Sequence, residues 1–137
     1  MRATVLGVLT ILAVAAQAGF VSGFQRAPDF AGGGPWVNLK KWHTKYHDQG
    51  LVIVAVHSPE FSYERSEQYV RDSVAKLGIR YAVVMDNNFK IWRAYNNVYW
   101  PTVYLVDKQG VIRYRHIGEG AYQETEQMIR ALVSERS

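Results

Sequence analysis

The 137-residue sequence contains no cysteine. That excludes disulfides, thiolate metal sites and thiol catalysis by the chain's own residues. Charge is also thin: 16 Lys and Arg stand against 12 Asp and Glu, and Lys40-Lys41 is the only adjacent basic pair. So dilute a pattern reads as a solvated surface and argues against nucleic acid as a partner. There is no Gly-rich phosphate loop, no hydroxyl in an evident nucleophile motif and no internal repeat. What remains is ordinary globular composition, 48% hydrophobic and 20% charged. The length suits one domain with a core and is too short for two.

The longest uncharged stretch is at the start. "MRATVLGVLTILAVAAQA" has one early Arg, an apolar run and a small-x-small ending at Ala16-Gln17-Ala18. That is the layout of a secretory signal cleaved after Ala18. The run is short for a spanning helix, which needs about 20 apolar residues, although "GFVSGF" extends it towards Phe24. Residues 1–18 are therefore expected to be a signal peptide or a membrane anchor. The competing reading is a buried strand or helix of the domain itself. Residues 19–34, with five glycines and one proline, read as a linker.

From Pro35 the pattern becomes regular. Pro35 suits a first helical turn, Trp36, Leu39, Trp42 or His43, and Tyr46 recur at helical spacing, and Gly50 stops the run. "LVIVAVH" (51–57) and "YAVVM" (81–85) read as buried strands. Between them, Ser66 starts a helix that Gly78 ends. Asn87 or Asn88 is expected to cap a short helix burying Phe89, Ile91 and Trp92. "TVYLVD" and "VIRYRHI", joined by "KQG", form an antiparallel hairpin, and residues 122–135 form a last amphipathic helix. Strands separated by helices, then a hairpin, predict an α/β domain with three layers and a mixed sheet.

The segments "PWVNLKKWHTKY", "VHSPEF", "GIRYAVVMDNN" and "YWPTVYLVDKQGVIRYRHIGEG" resemble the thioredoxin-like domains of TlpA- and DipZ-type thiol–disulfide oxidoreductases. "VHSPEF" and "HIGEG" followed by "ETE" point to the DipZ-like group, and residues 66–85 match an insertion typical of TlpA-like domains. The resemblance implies a thioredoxin-like domain over residues 35–137, N-terminally incomplete, with a cis bond at Trp100-Pro101. Such domains carry a central strand and then a C-x-x-C pair before the helix that Pro35 continues. Those cysteines would fall near Ala27 and Phe30, and the strand near Gln17 to Gly23, where the match fails. The expected gap lies between the strands at 51–57 and 102–107. Three outcomes follow: residues 5–14 fold back as a substitute strand, the flanking strands close up, or the edges stay open. The last is expected once the first 18 residues are removed.

The resemblance thus implies an exported, degenerate and redox-inactive member that binds an extended peptide or protein partner. The alternative is an oxidoreductase whose cysteines lie in a missing N-terminal part or a partner chain. Trp100, Pro101 and Thr102 are the expected peptide-binding residues, because substrates of the family pair with the backbone there. The bland alternative is a turn kept only for the hairpin. His57 and Glu60 are the expected remnant of an active centre. His57-x-x-Glu60 and His116-x-x-Glu119 share a spacing that zinc could use, but lone His and Glu residues are more often surface groups, so no metal is assigned. No cofactor is implied, and the membrane is contacted only through the N-terminal segment if it is uncleaved.

Overall fold

A computed structural model describes residues 8–13 and 35–135. The expected linker, residues 19–34, lies outside the described residues, as does most of the stretch 1–18. The elements are β1 (Val8–Ala13), α1 (Pro35–Tyr46), β2 (Val52–His57), α2 (Glu67–Leu77), β3 (Ala82–Met85), α3 (Lys90–Ala94), β4 (Thr102–Val106), β5 (Ile112–Ile117) and α4 (Tyr122–Ser134). Short 3-10 turns follow α1 and β2.

The sheet has the order β3-β2-β1-β4-β5. Pairs β3–β2 and β1–β4 are parallel, while β2–β1 and β4–β5 are antiparallel. Alternate residues of each strand supply opposite faces. Ile53, Ala55, Val83, Val103 and Leu105 pack with Leu39, Trp42 and Tyr46 of α1, Val70 and Val74 of α2, and Ile129 and Leu132 of α4. Val56 and Tyr104 face the other way, with Val54, Val106 and the α3-side residues Ile91 and Tyr95. Three helices therefore cover one face and α3 the other, giving the three layers. Each fully buried Leu or Ile contributes about 1.5–3 kcal/mol, so the larger cluster dominates stability.

Local chemistry sets the helix ends. Ser66 Oγ accepts the Tyr69 N–H at 3.2 Å and caps α2. Gly78, at φ 63°, ends it with its N–H turned back to the Val74 and Ala75 carbonyls. For α3 the cap differs from expectation. Neither Asn87 nor Asn88 takes the role: Asp86 accepts the N–H groups of Ile91 and Trp92, both at 2.9 Å. Phe89 then occupies the N-cap position at φ 56°, half-buried.

The middle of the sheet is occupied. β1 lies between β2 and β4, with Val8 opposite His57, Ala13 opposite Val52, and Leu9 opposite Thr102. Of the three outcomes, the fold-back strand is the one realised in this chain. It runs antiparallel to β2 and parallel to β4. The rows of donors and acceptors on β2 and β4 are thereby paired, and a buried unpaired group costs about 1–3 kcal/mol. Residues 8–13 belong to the apolar run read as a signal or anchor, so in the uncut chain that run also serves as sheet. Among the described residues no helix is long and apolar enough to cross a membrane.

Candidate functional site at the start of the fourth strand

The C-terminal end of β2 and the N-terminal end of β4 lie on either side of the first residues of β1. His57 faces Val8 across one ladder, and Thr102 faces Leu9 across the other. Two of the expected groups, His57 and the Trp100–Thr102 segment, are thus brought to one end of the sheet.

The Trp100–Pro101 bond is cis, and Pro101 and Thr102 are buried. The segment is fixed from several sides. The Gly118 N–H donates to the Pro101 carbonyl at 2.7 Å. The Tyr99 carbonyl accepts both Thr102 Oγ1 at 2.7 Å and Asn97 Nδ2 at 2.8 Å. Asn97 is itself buried and accepts the Tyr104 hydroxyl at 3.0 Å. The Trp100 indole packs against Trp92 of α3, with centroids 4.3 Å apart and planes tilted by 43°, and donates Nε1–H to the Ser58 carbonyl at 3.0 Å. The backbone N–H and C=O of Trp100 have no partner among the described residues. Val98 and Tyr99 beside it are 62% and 59% exposed, a large apolar presentation for one short loop. Phe61 and Tyr63, on the segment after Ser58, are also exposed and stack at 5.7 Å.

The polar residues beneath are buried. Ser58 Oγ donates to Asp86 Oδ2 at 2.8 Å, and the Asp86 N–H donates to the His57 carbonyl at 2.8 Å. His57 is fully buried, with Nε2 2.9 Å from the Glu64 carbonyl. A carbonyl only accepts, so Nε2 carries the proton. Burial pushes the His57 pKa down, against the pull of that carbonyl, and the ring is neutral. Its Nδ1 is then an acceptor, buried and without a partner among the described residues.

The carboxylate of this corner is Glu64, which the sequence reading missed. Glu60 is exposed and contributes its backbone: its N–H donates to Glu64 Oε2 at 2.7 Å, and the Phe61 N–H does so at 3.2 Å. Glu64 is buried, its Oε1 has no partner among the described residues, and burial raises its pKa against those two N–H donors. The signal available was a Glu three residues after Phe61, at the spacing at which a side chain returns to the backbone N–H groups opening its own turn. A buried carboxyl and a neutral imidazole can hold and pass a proton. The chain has no thiol to use it.

The second His-Glu pair stays apart. His116 lies on β5 opposite Val103, with Nε2 3.3 Å from the Glu119 carbonyl. Among the described residues, no three His, Asp or Glu groups converge as metal ligands.

No family model matches the chain. Among curated proteins, it is 40% identical over 94 residues to the protein DipZ of Mycobacterium bovis, covering 69% of this chain and 14% of DipZ. It is 28% identical over 101 residues to the thiol-disulfide oxidoreductase YkuV of Bacillus subtilis, covering 74% of this chain and 66% of YkuV. The chain thus spans only a small part of the DipZ protein that it matches. Among solved structures, a thioredoxin-like protein in its oxidised form superposes with a TM-score of 0.70 at 21% identity, covering 93% of this chain and 80% of that one. The crystal structure of DsbE from Chlorobium tepidum gives 0.64 at 21% identity, over 95% and 82%.

Proposed function

We propose, from the premise that this chain is a thioredoxin-like domain with homologues of the redoxin and DipZ type, that it is a non-catalytic member which binds an extended polypeptide at Trp100, Pro101 and Thr102. The observation carrying this reading is the Trp100 backbone. Its donor and acceptor are unpaired among the described residues, in a segment locked by Gly118, Asn97 and Ser58. An extended peptide pairs with such groups as a strand does, and exposed Val98, Tyr99 and Phe61 supply apolar contact for its side chains. The fixed loop lowers the ordering cost of binding. Inactivity follows from chemistry: disulfide exchange needs a thiolate, and none is present. The N-terminal run supports a place outside the cytoplasm, reached through that segment as signal or anchor. His57, with Glu64 in place of Glu60, is then a buried remnant of an active centre.

A peptide array probed with the full chain tests the reading. The expected result is a set of bound peptides whose signal falls at least about tenfold in Trp100→Ala and in Tyr99→Ala, equivalent to about 1.4 kcal/mol. The same preparation is expected to leave insulin disulfides intact. An array without binding above background, binding indifferent to both substitutions, or turnover of insulin by a homogeneous sample would each defeat the reading.

A further inference from the structure

Where α1 passes the C-terminal end of α2, cationic groups gather without a carboxylate. A cavity of about 40 Å³ is lined there by Lys40, His43, Thr44, Gly78, Arg80 and Tyr81. A single water needs about 10–15 Å³ on this scale, so the space suits roughly three waters or one small oxyanion. Lys40 Nζ is held at the rim by the Leu77 carbonyl at 2.8 Å, which uses one of its three donors. Gly78 is there for its left-handed backbone, φ 63°, and a Cβ on it would make only an ordinary contact with that Nζ at 3.8 Å.

His43 Nδ1 is buried and has no partner among the described residues. The ring stacks on His47 at 5.2 Å and meets the Tyr81 ring edge-on at 6.0 Å. Burial, His47 and Arg80 all push its pKa down, so the Arg80 charge reaches this cavity. Neither Lys40 nor Arg80 forms an ion pair among the described residues. Two cations, a hydroxyl and an unpartnered imidazole nitrogen around one small space are the donor set for a tetrahedral anion.

We propose that this corner is a phosphate-group site, in which Lys40, Arg80 and His43 bind the phosphate of a soluble ester, inorganic phosphate or an anionic lipid headgroup. The site lies on the helix pair, apart from the Trp100 segment, and does not depend on peptide binding. A bound dianion favours the charged imidazole. His43 is faced by Lys40 from α1, by His47 from the 3-10 turn that follows it, and by Arg80 and Tyr81 from the segment leading into β3. The anion offsets the cations in that set, so its binding raises the His43 pKa.

The test is an NMR titration of the full chain with inorganic phosphate, against chloride at equal ionic strength. The His43 ring signals are expected to saturate with a dissociation constant on the order of 1 mM, and the His43 midpoint to rise. Arg80→Gln, at an exposed position, and Lys40→Gln are each expected to weaken binding at least about tenfold. A second arm uses phosphatidylcholine vesicles with and without phosphatidic acid. Binding only to the acidic vesicles, lost in both variants, assigns the headgroup; a phosphate response without vesicle binding assigns a soluble phosphate. No saturable response up to roughly 50 mM phosphate with no vesicle binding, or responses unchanged in both variants, overturns the proposal.

Discussion

Asp86 holds the site together, and replacing it has a calculable effect. Its carboxylate accepts Ser58 Oγ at 2.8 Å and the N–H groups of Ile91 and Trp92 at 2.9 Å each. Asp86→Ala leaves all three donors without that acceptor. Ser58 is fully buried, so its hydroxyl loses about 1–3 kcal/mol when orphaned. The two amides open a half-exposed helix and can be hydrated, so their loss resembles that of an N-cap, about 1–2 kcal/mol together. The expected destabilisation is therefore about 2–5 kcal/mol, a large share of the about 5–15 kcal/mol that holds a domain. Asp86→Asn keeps one acceptor oxygen and is expected to lose about half as much. Ser58→Ala leaves the carboxylate still capping α3, so about 1 kcal/mol is expected. In the double variant the two effects are not additive, because Ser58 and Asp86 share one bond. Urea unfolding followed by far-ultraviolet circular dichroism measures all four variants against the parent. Trp92 packs against Trp100, so the tryptophan fluorescence of the folded Asp86→Ala protein should also shift. An Asp86→Ala protein within about 1 kcal/mol of the parent, or strict additivity with Ser58→Ala, would refute this account of the corner.

Glu64 has a raised folded pKa, so the stability that its neutral form provides is complete below the unfolded value and is lost as pH rises through the folded one. Glu64→Gln keeps an acceptor for the Glu60 and Phe61 N–H groups, and its stability relative to the parent should rise from pH 4 to pH 8; urea midpoints that differ by a constant amount across that range would contradict it. Glu126 has the opposite sign. Hydrogen bonds from Lys45 at 2.8 Å and Tyr46 at 2.7 Å hold its pKa at about 2. Its contribution is present above the unfolded value and fades as pH falls towards 2, so the deficit of Glu126→Gln seen at pH 6 should shrink in acid thermal melts. The orientation of β1 can be tested by disulfides on a cysteine-free background: Leu9→Cys with Val56→Cys, and separately Leu12→Cys with Ile53→Cys, should both close within one chain, as the antiparallel register requires. Closure of neither pair on mild oxidation would remove β1 from its place.

The parts of the fold that were legible are those where burial writes a period into the sequence. The hairpin of β4 and β5 shows alternation and a polar turn, and α2 shows its Ser66 cap and Gly78 stop. β1 is harder, because an apolar run of this length satisfies an export signal, an anchor and a buried strand equally. Only pairing with β2 and β4 distinguishes them, and pairing is non-local. Glu64 and Asp86 were obscured for a different reason. Each sits among polar neighbours, "SYERSEQ" and "MDNN", and nothing local says which polar residue turns inward. Glu60 and Asn87 or Asn88 were the nearer choices by position. The backbone donors that select Glu64 and Asp86 become visible only once the turns are built.

β1 also makes the domain wait for itself. Leu9 and its partner Thr102 stand 93 positions apart along the chain. At about 5–20 residues per second of synthesis, the apolar strand exists for roughly 5–20 s before β4 has been made. β2, its antiparallel neighbour, is made first, but the edge that β4 will cover stays open until β4 has been synthesised. The strand that completes the sheet thus spends the synthesis of the domain with one apolar edge unclaimed, the condition under which strands pair with a wrong partner.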